Sequence, residues 1–285
     1  MLTIDNILLQ SGLYIVSTPI GNLKDITIRA LSILKNCDLI GCEDTRVTKK
    51  LLSSYKIKSK KLISIHEHSN EQKLIFLIEK IKEGKSIALV SDAGTPIVSD
   101  PGLKLIVLAI NNGINIIPIP GPSAVMASLV GSGLISDKFL FIGFLPNKKN
   151  KRINILNEYK KINSLLIFYE SAKRIKETLI DMFSIFGNRK CVIAREITKY
   201  YETFYRGDLD KFKNIKNNLK GEITIIIAPP ENKKVREKID VDDEIKKITS
   251  FIEKKISTKD LSKLLSIIYK KPKKFFYTKL IKSIR

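Results

Sequence analysis

The run Ser91-Asp-Ala-Gly-Thr-Pro-Ile-Val-Ser-Asp-Pro-Gly102 places two carboxylates among small turn residues and two prolines, directly behind the buried-type run Ser86-Ile-Ala-Leu-Val90. Glycine and proline fix unusual backbone angles, so a loop holding Gly94, Pro96, Pro101 and Gly102 is shaped in advance. It offers amides, carbonyls and carboxylates to a ligand, which is binding chemistry rather than the ordinary strand-to-helix turn of similar composition. Two companions share the arrangement. Thr18-Pro-Ile-Gly-Asn22 follows apolar Leu13-Tyr-Ile-Val16, and Pro118-Ile-Pro-Gly-Pro-Ser-Ala124 follows the apolar residues 114–117. In a parallel sheet such loops emerge at the carboxyl edge of the strands, where open α/β sheets bind their ligands, so all three can line one crevice.

These loops need a sheet to hold them. Apolar runs and amphipathic segments alternate through the first half: strand 13–16, helix 26–34, strand 38–42, helix 44–54, strand 62–66, helix 71–83 and strand 86–90. That rhythm predicts a parallel or mixed sheet flanked by helices. A second block opens near Pro122, with a helix over 124–130 and strands at 139–144, 165–169, 191–195, 200–205 and 222–227. Fewer helices separate these strands, which predicts a more mixed or antiparallel sheet. Pro229-Pro230 closes the block, and residues 231–237 read as a charged linker. Three short helical patterns follow, divided near Ser257 and Lys271-Pro272, with Thr258 as the cap of the middle one. The expected organisation is an α/β protein with mixed sheets flanked by helices: an α/β domain over 1–121, a second over 122–232 and a small basic helical appendage over 233–285.

With 285 residues and 44% hydrophobic composition the chain can bury large cores. Its 51 Lys and Arg against 29 Asp and Glu give a net charge of +22, which points to a polyanionic partner such as nucleic acid. Part of that excess is also what a chain rich in Lys, Ile and Asn places on its solvated surface. The appendage alone holds 17 Lys and Arg against seven Asp and Glu. There Lys270, Lys271, Lys273 and Lys274 stand beside Phe275, Phe276 and Tyr277, either as an RNA-docking face or as the solvated side of a packed helix. No apolar run approaches the roughly 18 to 20 residues that span a bilayer, and the N-terminus has no basic region followed by an apolar signal core. A cytoplasmic protein without a membrane span is expected. Cys37, Cys42 and Cys191 have no metal-ligand spacing and read as reduced core residues, so no metal is expected.

The three loops, together with Cys42-Glu-Asp-Thr-Arg46, His66-Glu-His68, Phe168-Tyr-Glu-Ser171 and Ala194-Arg-Glu-Ile-Thr-Lys199, resemble in kind and order the motifs of the tetrapyrrole methylase superfamily. These enzymes are methyltransferases that depend on S-adenosylmethionine. The pattern is most similar to the branch that methylates a cytidine 2′-oxygen of small-subunit (16S) ribosomal RNA, and it covers roughly residues 12–230. One departure is Val47, where that branch often has histidine. The resemblance implies a two-domain tetrapyrrole-methylase-like fold with the cofactor pocket between the domains. It assigns that pocket to Pro19, Ile20, Gly21, Asp92, Gly94, Thr95, Ser123 and Ala124, largely through backbone, with Phe168, Tyr169 and Ala194 as further contacts. It also implies a homodimer acting on ribosomal RNA or on the assembled small subunit.

The sequence is consistent with that cofactor. Neither G-x-G-x-x-G nor G-x-x-x-x-G-K-[ST] occurs, and a sulfonium cation without phosphate needs carboxylates and carbonyls rather than a nest of amides. A ribose hydroxyl is a weak nucleophile until its proton is removed, so methyl transfer to it calls for positioning and a base. The motifs leave the base open among Glu43, Asp44, Glu170 and Glu196, while His66 and His68 read more readily as structural. Arg46, Arg195 and Lys199, inside the motif loops, are candidate phosphate contacts, with Arg29, Arg174 and Arg206 behind them; each can equally form an intramolecular ion pair. Two other readings stay open. One is a methyltransferase for a tetrapyrrole or a protein acceptor, whose first loop would usually be Gly-x-Gly-Asp-like. The other is a noncatalytic RNA-binding factor of ribosome assembly.

Overall fold

The computed structural model describes residues 7–58, 60–66, 70–134, 137–213, 215, 219–230, 256–269 and 272–283. The chain divides into two compact units, Met1–Pro230 and Glu231–Arg285, and the first contains two five-stranded sheets.

The first sheet is wholly parallel, in the order β3-β2-β4-β1-β5, with β1 Gly12–Val16, β2 Leu39–Cys42, β3 Lys61–Ser64, β4 Ser86–Val90 and β5 Ile116–Ile119. Every residue of β1, β2 and β4 is buried, as parallel strands covered on both faces require. Alternate residues feed two cores. Leu13, Ile15, Ile87 and Leu89 pack with helices α3 (Glu71–Lys82) and α4 (Leu103–Asn111); Tyr14, Val16, Ala88 and Val90 pack with α1 (Ile28–Asn36) and α2 (Thr45–Ser54). Side-chain oxygens of Thr27, Asp44 and Asn70 accept from the first free amides of α1, α2 and α3 and fix where each helix starts. The strand expected at 114–117 lies two residues further on, and it can hold Pro118 because β5 is an edge strand.

The second sheet runs β6-β7-β10-β8-β9, with β6 Phe139–Phe144, β7 Leu165–Ser171, β8 Lys190–Arg195, β9 Thr203–Asp208 and β10 Glu222–Ile227. Only β6 and β7 pair in parallel, which demands a crossover, and α6 (Lys149–Tyr159) supplies it. Helix α5 (Ala124–Ser132) covers one face through Val125 against Leu165, Ile167, Val192 and Ile226. The other face carries α6 and α7 (Ile175–Phe186) over Leu166, Phe168, Ile193 and Ile225. The strands are therefore less helix-poor than the sequence suggests. The inward stripe of α6 is Arg152, Ile155, Leu156 and Tyr159, so its buried face includes a charge that hides the periodicity. Arg152 is neutralised by Asp181 of α7 at 2.7 Å. Residues 200–202, expected to begin a strand, instead belong to a turn in which Glu196 and Thr198 have φ of 51° and 65°.

In the second unit, helices Thr258–Ile268 and Lys273–Ser283 pack through Leu261, Leu265, Phe276 and Leu280. Ser257, not Thr258, caps the first, its Oγ accepting from the Asp260 amide at 3.1 Å. The helical pattern expected before it lies outside the described residues.

Candidate active site

The loops after β1, β4 and β5 converge as the parallel topology requires, and they are sewn together. Thr18 and Gly94 exchange backbone hydrogen bonds of 2.8 and 3.0 Å. The Thr95 hydroxyl lies 3.1 Å from that of Ser17 and donates to the Pro122 carbonyl at 3.2 Å, so one side chain joins all three loops. Gly94 has φ of 79°, a conformation other residues adopt at a cost, and a Cβ there would meet Ile20 Cγ2 at 3.2 Å. The loop after β2 joins from the side, the Asp44 amide donating to Asp92 Oδ1 at 3.0 Å.

Between these loops and the second sheet lies a cavity of about 390 Å³, within the usual size of small-molecule sites. Ile20, Asp92, Gly94, Thr95, Ser123, Ala124 and Tyr169, all expected at a cofactor, line it. Four other expected contacts do not. Pro19 is buried, and Gly21 serves close packing, since a Cβ there would meet Lys199 Cγ at 2.5 Å and Thr198 Oγ1 at 2.7 Å. Phe168 points to the opposite face of β7 from Tyr169, into the core beneath α7, because successive strand residues alternate. Ala194 is buried under Ile20 and Ile197 and supports the wall without forming it. Phe144, Glu222 and Thr224, which no motif marks beforehand, and Ile197, from the Ala194–Lys199 motif, are also in the lining. The Tyr169 hydroxyl, pressed between Phe141 and Phe144, is pushed up to about 12 by burial and stays neutral.

The candidate bases separate by their partners. Asp44 caps α2 and forks onto Arg46 at 2.6 Å; the hydrogen bonds from that arginine hold its carboxyl down at about 2. Glu170 borders the cavity, but its buried carboxylate is consumed by the Ser171 amide, Arg174 and the Thr178 hydroxyl. Glu196 binds Lys199 at 2.9 Å and the Glu222 amide at 3.0 Å, outside the cavity lining; although burial opposes ionisation, these bonds hold its pKa below the usual range. Glu43 alone of the four faces the cavity without a Lys or Arg ion pair among the described residues. Burial, then the neighbouring Asp92 charge, raises its pKa. A further carboxylate emerges on the same wall. Asp100 is half-buried and pushed up to about 6 by burial, with a Ser91 hydrogen bond opposing and the charges of Glu43 and Asp92 adding.

Five of the expected phosphate contacts are held internally. Arg46 is exposed but forked on Asp44, Arg195 donates to the Lys220 carbonyl at 2.7 Å, and Lys199 bridges Glu196 and Glu222. Arg174 pairs with Glu170, and Arg206 donates to the Ser132 carbonyl at 3.1 Å. Lys273 and Lys274 sit on the first turn of the last helix beside Tyr277, whereas Phe276 is buried in its core; Lys270 and Lys271 lie outside the described residues. His66 receives or donates a 2.7 Å bond with the Ser64 hydroxyl, and His68 is not among the described residues. No cluster of His, Cys, Asp or Glu able to hold a metal occurs among the described residues, and no helix among them is long and apolar enough to cross a membrane.

A cavity of this size, with apolar and backbone walls and three carboxylates at one end, fits a nucleoside carrying a sulfonium cation. The family model for Tetrapyrrole (Corrin/Porphyrin) Methylases matches residues 12–213. A ribosomal RNA small subunit methyltransferase I from Halalkalibacterium halodurans is 50% identical over 220 residues, 76% of each chain. One of the same name from Pasteurella multocida is 42% identical over 273 residues, covering 93% of this chain and 95% of that one. Among solved structures, diphthine synthase superposes with a TM-score of 0.60 at 17% identity, covering 76% of this chain and 89% of its own. Uroporphyrin-III C-methyltransferase from Thermus thermophilus, complexed with S-adenosyl homocysteine, gives 0.55 at 14% identity, covering 76% and 97%. Those two likenesses establish the fold. Because the family model spans well over half of the sequence and relatives 50% and 42% identical cover 76% and 93% of it, the chain belongs to the tetrapyrrole methylase family, whose members take the transferred methyl group from S-adenosylmethionine.

Proposed function

We propose that this protein methylates the 2′-hydroxyl of a cytidine in small-subunit ribosomal RNA. The observation that carries the reading is the cavity at the carboxyl edge of the parallel sheet, with Glu43, Asp92 and Asp100 at one end and no phosphate-binding glycine motif beside it. The acceptor class rests on the relatives named ribosomal RNA small subunit methyltransferase I and on the net charge of +22. The cytidine ribose rests on the motif resemblance.

S-adenosylmethionine supplies an electrophilic methyl carbon when bound. The chain's part is to hold it and to ready the acceptor. Ile20, Gly94, Thr95, Ser123 and Ala124 would cradle the nucleoside portion, and the carboxylate end favours the cation. Tyr169 and the loops wall the cavity around the bound cofactor. The basic appendage then adds sequence-independent attraction for phosphates. A homodimer is supported by the outward apolar residues Met126 and Val130, one turn apart on α5, and Phe139 and Leu140 on the edge strand β6. Action in the cytoplasm follows from a ribosomal substrate.

Titration calorimetry with S-adenosylmethionine, paired with binding to small ribosomal subunits, tests the reading. Cofactor affinity in the micromolar range together with subunit binding is expected. Subunit binding without cofactor binding would make the chain an assembly factor, and cofactor binding without subunit binding would redirect the search to a tetrapyrrole or protein acceptor.

A further inference from the structure

The acidic wall of the cofactor cavity has a second side. Glu43, Ser99 and Asp100 also line a separate cavity of about 560 Å³, closed by the end of the β3 segment, by α3 and by the first turn of α4. Its polar groups include His66 and Lys104, and its apolar walls include Ile65, Leu74 and Leu103. The partition between the two spaces is the loop 97–100, whose backbone is forced: Ile97 and Ser99 have φ of 76° and 70°. A β-branched residue in that region is an outlier, kept only where the surroundings over-determine it.

We infer that this second cavity receives the acceptor nucleoside of the RNA, drawn out of its stack, and that Asp100 on the shared wall accepts the proton of the attacking ribose hydroxyl. The inference rests on the methyltransferase reading of the first cavity. A base buried in a helix or stack cannot reach an enclosed methyl donor, so an enzyme of this kind needs a place for the extruded nucleotide. That place must adjoin the cofactor and offer apolar surface to the base and polar groups to its edges. The second cavity does both, and its volume exceeds what one nucleoside needs, leaving room for a flanking phosphate near Lys104.

The proton acceptor follows from the wall. Asp92 is spent in part on the Asp44 amide, which leaves Glu43 and Asp100 facing both spaces. Around Asp100 stand Glu43, Asp92 and the Ser91 hydroxyl, with Tyr169 across the first cavity and His66 and Lys104 on the walls of the second. Burial and the two like charges make its carboxylate more basic than a solvated one, yet it remains ionised above about 6. As the 2′-oxygen bonds to the methyl carbon, the carbon–sulfur pair leaves with sulfur and the hydroxyl proton passes to Asp100. The products are a methyl ether, a neutral thioether and a protonated carboxyl group.

The test uses the full chain, under-methylated small ribosomal subunits and two variants. Leu103→Trp obstructs the second cavity from a position already 59% exposed, so folding is spared. It is expected to leave S-adenosylmethionine affinity within about threefold while lowering methyl transfer more than thirtyfold. Asp100→Asn is expected to leave affinity for the subunits within about threefold and, by removing one of the three carboxylates beside the cation, to weaken S-adenosylmethionine binding, so its transfer is read at saturating cofactor. Its single-turnover rate should fall by roughly 10²-fold or more, and the rise in rate as pH increases through about 6 should vanish. Wild-type transfer by Leu103→Trp, a parallel loss of cofactor affinity in it, or an intact pH limb in Asp100→Asn would overturn the inference. If the wild-type protein binds no S-adenosylmethionine, or labels no ribosomal RNA, it is the proposed function that has failed.

Discussion

Gly94 and Gly113 form a natural pair for separating backbone cost from site geometry. Both have positive φ, 79° and 69°, but a Cβ at Gly113 has nothing within 4 Å, whereas at Gly94 it would press on Ile20 Cγ2 at 3.2 Å. An alanine in this left-handed region costs about 1–2 kcal/mol at either place. For a unit of this size that lowers the melting temperature by about 2–8 °C. Only Gly94→Ala also displaces a cavity wall, and overpacking of a fitted site costs about 1–3 kcal/mol, equivalent to roughly fivefold to 150-fold in affinity. Scanning calorimetry and isothermal titration with S-adenosylmethionine read the two quantities separately. Gly113→Ala should melt earlier and bind the cofactor normally; Gly94→Ala should melt at least as early and bind at least about fivefold more weakly. Equal, undiminished affinity in both variants would refute the placement of Gly94 on the cofactor wall.

Other perturbations have equally definite outcomes. Asp181→Asn leaves the buried Arg152 guanidinium with only the longer Glu177 pair at 3.8 Å and the Asn147 carbonyl, and should cost about 2–4 kcal/mol in urea unfolding with little change in cofactor affinity; a loss under about 1 kcal/mol would contradict the paired arrangement. Asp100 has a folded pKa of about 6 against about 3.9 unfolded, so the folded state holds its proton more tightly. The resulting stabilisation is complete below about pH 4 and lost as pH rises through about 6, about 1–2 kcal/mol once solvent screening of a half-buried group is discounted; Asp100→Asn should flatten that part of the stability curve, and an unchanged curve would show that burial does not govern this group. Truncation after Pro230 removes 17 Lys and Arg from residues 233–285 and should weaken subunit binding with a shallower salt dependence, whereas an identical slope would assign the appendage to packing.

Much of the frame was legible because parallel and central strands are continuous apolar runs. The strands 86–90, 139–144 and 222–227 were expected at the bounds they occupy, and the three turn-rich loops behind strands do meet. Position within a strand was less legible where proline intervenes, as at Pro118, and helix α6 was hidden by Arg152 on its inner face. The candidate site was legible as loops and not as side chains. Tyr169 and Phe168 differ only in which face of β7 looks toward the cavity, and that depends on the helices covering each side. Arg174 reaches Glu170 only because the chain turns sharply between the end of β7 and the start of α7, so the strand-like run gave no sign that Glu170 is already paired. The meeting of Glu43 with Asp100 had no such signal. It follows from the pairing of β2 with β4, which brings residues 57 positions apart to one wall.

The central claim is tested most directly by incubating the purified protein with isotopically labelled S-adenosylmethionine and small ribosomal subunits lacking ribose methylation, then locating the label by nuclease digestion and mass spectrometry. Label on the ribose of a cytidine in the small-subunit RNA is the predicted result. Label on a nucleobase or on a ribosomal protein, or none on the subunit despite measurable cofactor binding, would contradict the account.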